Sequence, residues 1–199
     1  MTHIIYTCRM GRVSQAQAQE NRKRIVETAA RLFRERGFPA VSVADVMAEV
    51  GLTHGGFYKH FASKDALVAE AVGQAYAEQL TFLDGLGRPG DPATLQAALD
   101  NYLSIDHRDD PGTGCPSTGF GVDIARGPKD AAAREAYARG VEMYAGKLGE
   151  NGLVALSTLV GAMVLARGTA GTELSERILG EAKAAILGSA QPGNDAAPE

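Results

Sequence analysis

Between Gly51 and Lys64 the chain gathers Thr53, His54, Tyr58, Lys59, His60 and Lys64 around Phe57 and Phe61. Hydroxyl and ammonium groups of this kind bond phosphate oxygens, and a lysine facing a groove suits the acceptors of guanine. Gly51 permits a sharp turn. Across that turn Val46 and Val50 can pack on Leu52 and Phe57, while Thr53, His54 and Lys59 present polar atoms outward. These are the requirements of a helix-turn-helix, whose first helix braces a second lying in the major groove. Gly55 and Gly56 each cost about 1 kcal/mol relative to alanine inside a helix, and their use would be close approach of backbone to DNA.

A second chemical centre is Cys115, next to last in the stretch DHRDDPGTGCP. Ahead of a helix N-terminus, with His107 or Arg108 nearby, its thiol pKa would fall and favour reaction with electrophiles or oxidants. The alternative is a buried small hydrophobe, the commoner role of a free cysteine. A cysteine-dependent enzyme, with Cys115 as nucleophile and His107 as base, lacks an evident orienting group and oxyanion hole. His107, Asp109, Asp110 and Cys115 show no compact metal-ligand spacing, so a solvated loop is the better reading and neither metal nor cofactor is expected.

The elements that would position these residues are all helical, with no strand pattern of weight. Residues 1–18 lack a period and read as a flexible arm, in which Met10 would serve as a start as well as Met1. Ile25, Ala29, Leu32 and Phe33 give a first helix from Asn21 that ends at Gly37, with Arg31, Arg34 and Arg36 on its solvated face. Ser42 with Asp45 forms a capping box over the second helix. Thr53 caps a short third helix to about Phe61, and Ser63 caps a long one carrying Leu67, Ala71, Ala75 and Leu80 along one side. Asp91 and Pro92 start a helix to about Leu103, followed by a loop over 106–116. Further helices are expected over 117–125, 130–148, 152–167 and 173–187, before a disordered tail at 189–199. This divides the chain into a DNA-binding domain at 19–64 and a helical domain at 65–188.

The formal net charge of −4 conceals a polarity: residues 1–64 carry +5 and residues 65–199 carry −9. The N-terminal third suits a polyanion, and the acidic remainder should face away from it. Two cysteines make a disulfide framework unlike this chain. Leu153–Ala166 is the longest apolar candidate and Ser157, Thr158 and Gly161 interrupt it, so no membrane span is expected. With no leader pattern at Met1–Cys8, the reading is a cytoplasmic protein.

The stretch GLTHGGFYKHF, followed by Ser63 and Lys64, resembles the DNA-binding domain of the tetracycline-repressor (TetR) family. The likeness extends upstream through Ile25, Ala29, Ala30, Leu32, Phe33 and Gly37, and covers roughly residues 20–70. It implies an all-α protein with an N-terminal three-helix DNA-binding domain and a C-terminal helical domain for dimerisation and ligand binding. Carried onto this chain, it implies base contacts from Thr53, His54, Gly55 and Lys59, and phosphate contacts from Ser42, Tyr58, His60 and Lys64. Arg9, Arg12, Arg22 and Arg24 would add sequence-independent attraction.

It further implies a repressor on a palindromic double-stranded operator, homodimeric through the last two long helices, where Gly161, Ala162 and Ala166 permit close approach. A small-molecule effector would release it by shifting the helix from Ser63 to about Leu83. Candidates for the effector cavity are Tyr76, Leu80, Tyr102, Phe120, Met143 and Tyr144, apolar bodies of which several carry polar handles. Cys115 joins them, since some members of the family look similar at Gly114-Cys115 and sense reactive compounds.

Overall fold

The computed structural model describes residues 15–129 and 132–189; the expected tail beyond Ser189, which ends the last helix, lies outside them, as do most of the N-terminal arm, Arg9, Arg12 and Cys8. Among the described residues there is no strand. The helices are α1 Gln15–Arg36, α2 Val43–Glu49, α3 Lys64–Leu86, α4 Pro92–Tyr102, α5 Ile105–Asp109, α6 Pro116–Arg126, α7 Ala132–Lys147, α8 Gly152–Gly168 and α9 Glu173–Ser189. A 3₁₀ helix, His54–Lys59, lies between α2 and α3.

Local signals set most boundaries. The Ser42 hydroxyl accepts from Asp45 N, and the Asp45 carboxylate accepts from Ser42 N, completing the capping box of α2. The Ser42 hydroxyl also donates to Asp45 Oδ2 at 2.7 Å, and with the Ser42 N bond it lowers the Asp45 carboxyl from its ordinary value. Ser63 caps α3 and Asp91 caps α4, whose first turn begins with Pro92.

Three expectations need correction. α1 starts at Gln15, inside the stretch read as a flexible arm. The stretch read as a loop contains α5, capped by Ser104, which accepts from His107 N. The third helix is 3₁₀ rather than α, in keeping with two glycines at its start, which give a regular helix little support.

α1 and α3 pack on α2 and the 3₁₀ helix around Ile25, Phe33, Val46, Met47, Phe57 and Leu67, each 0% or 1% exposed. α3 continues into the C-terminal half and runs against α7, where Gly140 is essential to the approach: a Cβ there would lie 2.2 Å from the Tyr76 ring. Gly140→Ala should therefore cost about 1–3 kcal/mol, read as a lower denaturant midpoint with unchanged slope. α8 packs on α7 and α9. Among the described residues no single helix is long and apolar enough to cross a membrane; α7 and α8 are so only when taken together, and they meet at 109°.

Arg34 also departs from the sequence reading. It is 8% exposed rather than solvated; its Nε donates to Gly112 O at 2.6 Å and its Nη2 pairs with Glu78 at 3.3 Å. Gly119 of α6 lies so near that an added Cβ would come within 2.9 Å of Arg34 Cγ. One turn along α6, the Phe38 and Phe120 rings are 5.3 Å apart and Phe38 N donates to Asp123 Oδ2 at 2.6 Å. α6 and the turn at Gly112 ahead of it thus hold the C-terminal end of α1 and the residues just after it.

Candidate nucleic-acid interface

The turn between α2 and the 3₁₀ helix is built by Gly51, whose φ of +71° favours glycine, with Gly51 N bonded to Ala48 O and Leu52 N to Met47 O. This directs Phe57 inward at 0% exposure, stacked on Phe61 with ring centroids 5.4 Å apart. The opposite side is then forced outward. Thr53, His54, Gly55, Tyr58 and Lys59 are all exposed, Tyr58 at 64%, and His60 is half-buried. His54 and Tyr58 meet edge to face at 6.0 Å, and Tyr58 also packs its edge on Phe57 at 5.3 Å, so the phenol is oriented by the core while its hydroxyl stays free to reach outward. Nothing lies within 4 Å of a Cβ added at Gly55, so a bare backbone faces solvent there.

Several cations named from sequence are engaged within the fold. Lys64 Nζ donates to Phe38 O at 2.6 Å and sits over the Phe33 ring. Arg24 donates to Val50 O at 2.9 Å, closing the end of α2, and Arg22 pairs with Glu70 at 2.5 Å above the Phe61 ring. Ser42 is exposed but its hydroxyl is shared with Asp45. The exposed polar row is therefore carried by Thr53, His54, Tyr58 and Lys59.

In the C-terminal half, Tyr76, Leu80, Tyr102, Cys115, Phe120 and Tyr144 are buried, whereas Met143 is 59% exposed and stands outside that cluster, a correction to its expected place. Tyr144 takes the inward position of α7 one residue on. The phenols are satisfied through α6: Tyr76 OH meets Ser117 Oγ at 2.8 Å, Tyr102 OH meets Thr118 Oγ1 at 3.0 Å, and Tyr137 OH donates to Ser117 O at 3.1 Å. Burial pushes the Tyr76, Tyr102 and Tyr144 phenols up, so all three stay neutral. Ser117, Thr118 and Tyr137 were missed from sequence; their polar atoms come together only through the packing of α3, α6 and α7. A groove of about 630 Å³ adjoins the cluster, lined among others by Gln79, Asn101, His107 and Gly114.

Cys115 is 1% exposed at the N-cap of α6. His107 Nε2 accepts from Cys115 N at 3.0 Å, and Arg108 is paired with Asp109. The imidazole nitrogen that a thiol-activating base would use is thus bonded to the backbone of Cys115.

Comparison with known proteins agrees with this geometry. The family model described as bacterial regulatory proteins, tetR family, matches residues 25–71. An uncharacterized HTH-type transcriptional regulator of Mycobacterium tuberculosis is 30% identical over 171 residues, covering 75% of this chain and 85% of its own. The HTH-type regulator AcrR of Shigella flexneri is 31% identical over 43% of this chain, and the HTH-type repressor DhaR of a Mycobacterium species is 29% identical over 52%. Other matches are more local, the alignments with two Bacillus subtilis regulators and AcrR spanning only 18%, 33% and 41% of those proteins' lengths.

In fold, the reduced form of E. coli NemR superposes with a TM-score of 0.69 at 19% identity, over 84% of this chain and 95% of that one. A TetR-family regulator from Agrobacterium tumefaciens does so with a TM-score of 0.67 at 21% identity, over 86% and 98%. By sequence and fold, this chain belongs to the TetR family of bacterial regulatory proteins.

Proposed function

We propose that the protein is a homodimeric transcriptional repressor that binds a palindromic operator through residues 19–64 and is released by a small molecule held in residues 65–188. The observation that carries this reading is the outward row Thr53, His54, Tyr58 and Lys59, set on a turn whose inner side is sealed by Phe57 and Phe61. Thr53, His54, Gly55 and Lys59 would contact bases, and Tyr58 and His60 phosphates, with Ser42 and Lys64 at the flanks. Two such units must meet half-sites about one turn of DNA apart, which requires a second copy.

The buried tyrosine cluster is the proposed effector site, with the adjoining groove as its entrance. The Tyr76, Tyr102 and Tyr137 hydroxyls bond to α6, and α6 packs on α1, so a ligand that rearranged those bonds would shift the DNA-binding end. That linkage requires the ligand to prefer the non-binding arrangement.

The test is binding to DNA from the gene's own upstream region in a salt series. Wild type should bind specifically, with affinity falling steeply as salt rises. Tyr58→Ala with Lys59→Ala should weaken binding on the order of tenfold to a hundredfold and flatten the salt slope by about one. Failure to find any site in a genome-wide selection would overturn the reading.

A further inference from the structure

We infer that His107 is an acid-sensitive latch: protonating its imidazole breaks the bond that holds the N-terminus of α6, and so loosens the helix that grips α1. The release of DNA that follows rests on the function proposed above; the latch itself does not.

The geometry fixes the state of the ring. Nδ1 lies 2.7 Å from Tyr102 O, and a carbonyl only accepts, so Nδ1 carries the proton. Nε2 lies 3.0 Å from Cys115 N, and an amide only donates, so Nε2 is bare. The neutral ring therefore ties the end of α4 to the first residue before α6. A second proton would sit on Nε2, facing an N–H, and the bond could not survive. It would also place a cation at the positive end of α6.

Charged and titratable groups surround the ring on every side. From α8, Arg167 donates to His107 O at 2.8 Å and to Arg108 O at 3.1 Å. From α4, the Tyr102 ring packs against it at 4.6 Å. Arg34 of α1, Glu78 of α3, Asp100 of α4, and Asp106 and Asp110 beside it line the same groove, while Cys115 of α6 is bonded through its backbone. Arg108 and Asp109 neutralise each other alongside. Burial dominates and, with Arg167, opposes protonation, holding the ring below its ordinary value of 6.5; the bond to Tyr102 O and the Asp110 carboxylate favour it. The groove admits water to the ring, so a proton can arrive without unfolding.

The sign follows from linkage. Above about pH 6.5 the ring is neutral in folded and unfolded chains alike, and the latch is at full strength. As pH falls from there toward the depressed folded value, the open or unfolded form takes up a proton first, and latch strength is lost by about tenfold per pH unit.

The decisive experiment is hydrogen exchange of the peptide spanning the start of α6, on the full-length protein at pH 7.5 to 5.5, corrected for intrinsic rates, alongside an NMR titration of the His107 ring. Expected are an Nδ1–H tautomer at neutral pH, a titration point below 6.5, and protection of Cys115 and the first turn of α6 that falls about tenfold per unit on acidification. His107→Gln, a neutral side chain with an acceptor oxygen, should remove that acid dependence. Titration at or above 6.5, an Nε2–H tautomer, or acid-independent protection in wild type would overturn the latch, and these wild-type readings decide it even if the variant fails to fold. Operator affinity is measured in parallel: a protein that binds no DNA at any pH refutes the function proposed above while the exchange data still decide the latch.

Discussion

Val164→Glu combined with Leu165→Glu should yield a monomer and lose operator binding. α8 is apolar on more sides than the protein's own core can use. Leu156, Leu159, Met163 and Ala166 are buried, yet Leu153, Val154, Val164 and Leu165 are 49% to 68% exposed, and Leu174 at the start of α9 is 48% exposed. Gly161 lies on the same outward side, with nothing within 4 Å of an added Cβ, which leaves room for another helix to come close. A patch of this kind marks an association surface.

Two carboxylates inserted there would have to be desolvated at the interface, and the pair of chains should separate. The solution mass measured by light scattering should halve. Affinity for a two-half-site operator should fall by about a hundredfold or more, because linked binding of the second half-site multiplies the first. A double variant that remains dimeric would place the contact elsewhere.

The second large effect is a dissociation of two adjacent aromatics. Phe57→Ala should cost about 3–5 kcal/mol, since the ring is fully buried against Phe61 and its removal leaves a cavity. That is a large part of the stability of an ordinary domain. Tyr58→Ala, one residue on and 64% exposed, should change stability by about 0.5 kcal/mol or less. Both should weaken DNA binding, the first because the scaffold fails and the second because a contact is lost. Urea unfolding and DNA titration of the two variants separate the roles; equal loss of stability in both would contradict the assignment of Tyr58 to the interface.

What could be read from the chain was what its own neighbours decide. Ser42 and Asp45 cap a helix because they are three residues apart, and Phe57 is buried because Gly51 turns the chain back on α2. Arg34 shows the limit. On α1 it has the same local setting as Arg31 and Arg36, and only Gly112, 78 residues away, and Glu78 draw it inside. α5 was signalled by Ser104 as a cap, but the acidic, glycine-rich sequence after it masked the short helix. Met143 and Tyr144 were both plausible on the inner side of α7; one residue of helical phase, set by the close approach at Gly140, decided between them. The phenols of the effector candidates were visible as residue types, whereas the groove beside them is lined from α1, α3, α4 and α5 and the turn before α6, which only the fold brings together.

The bolts between α1 and α6 also bear on modularity. Residues 19–64 end where α3 begins, and by chain position alone a chimaera spliced at Lys64 is a free exchange of DNA-reading heads among relatives. Here the head carries Arg34 and Phe38, whose partners are Gly112, Gly119, Phe120 and Asp123 on the body. A transplanted head would lose its matching surface, leaving a buried guanidinium without its acceptor. A working hybrid must therefore carry the facing side of α6 and the turn at Gly112 along with the head, so the unit of exchange in this protein is a surface pair rather than a stretch of chain.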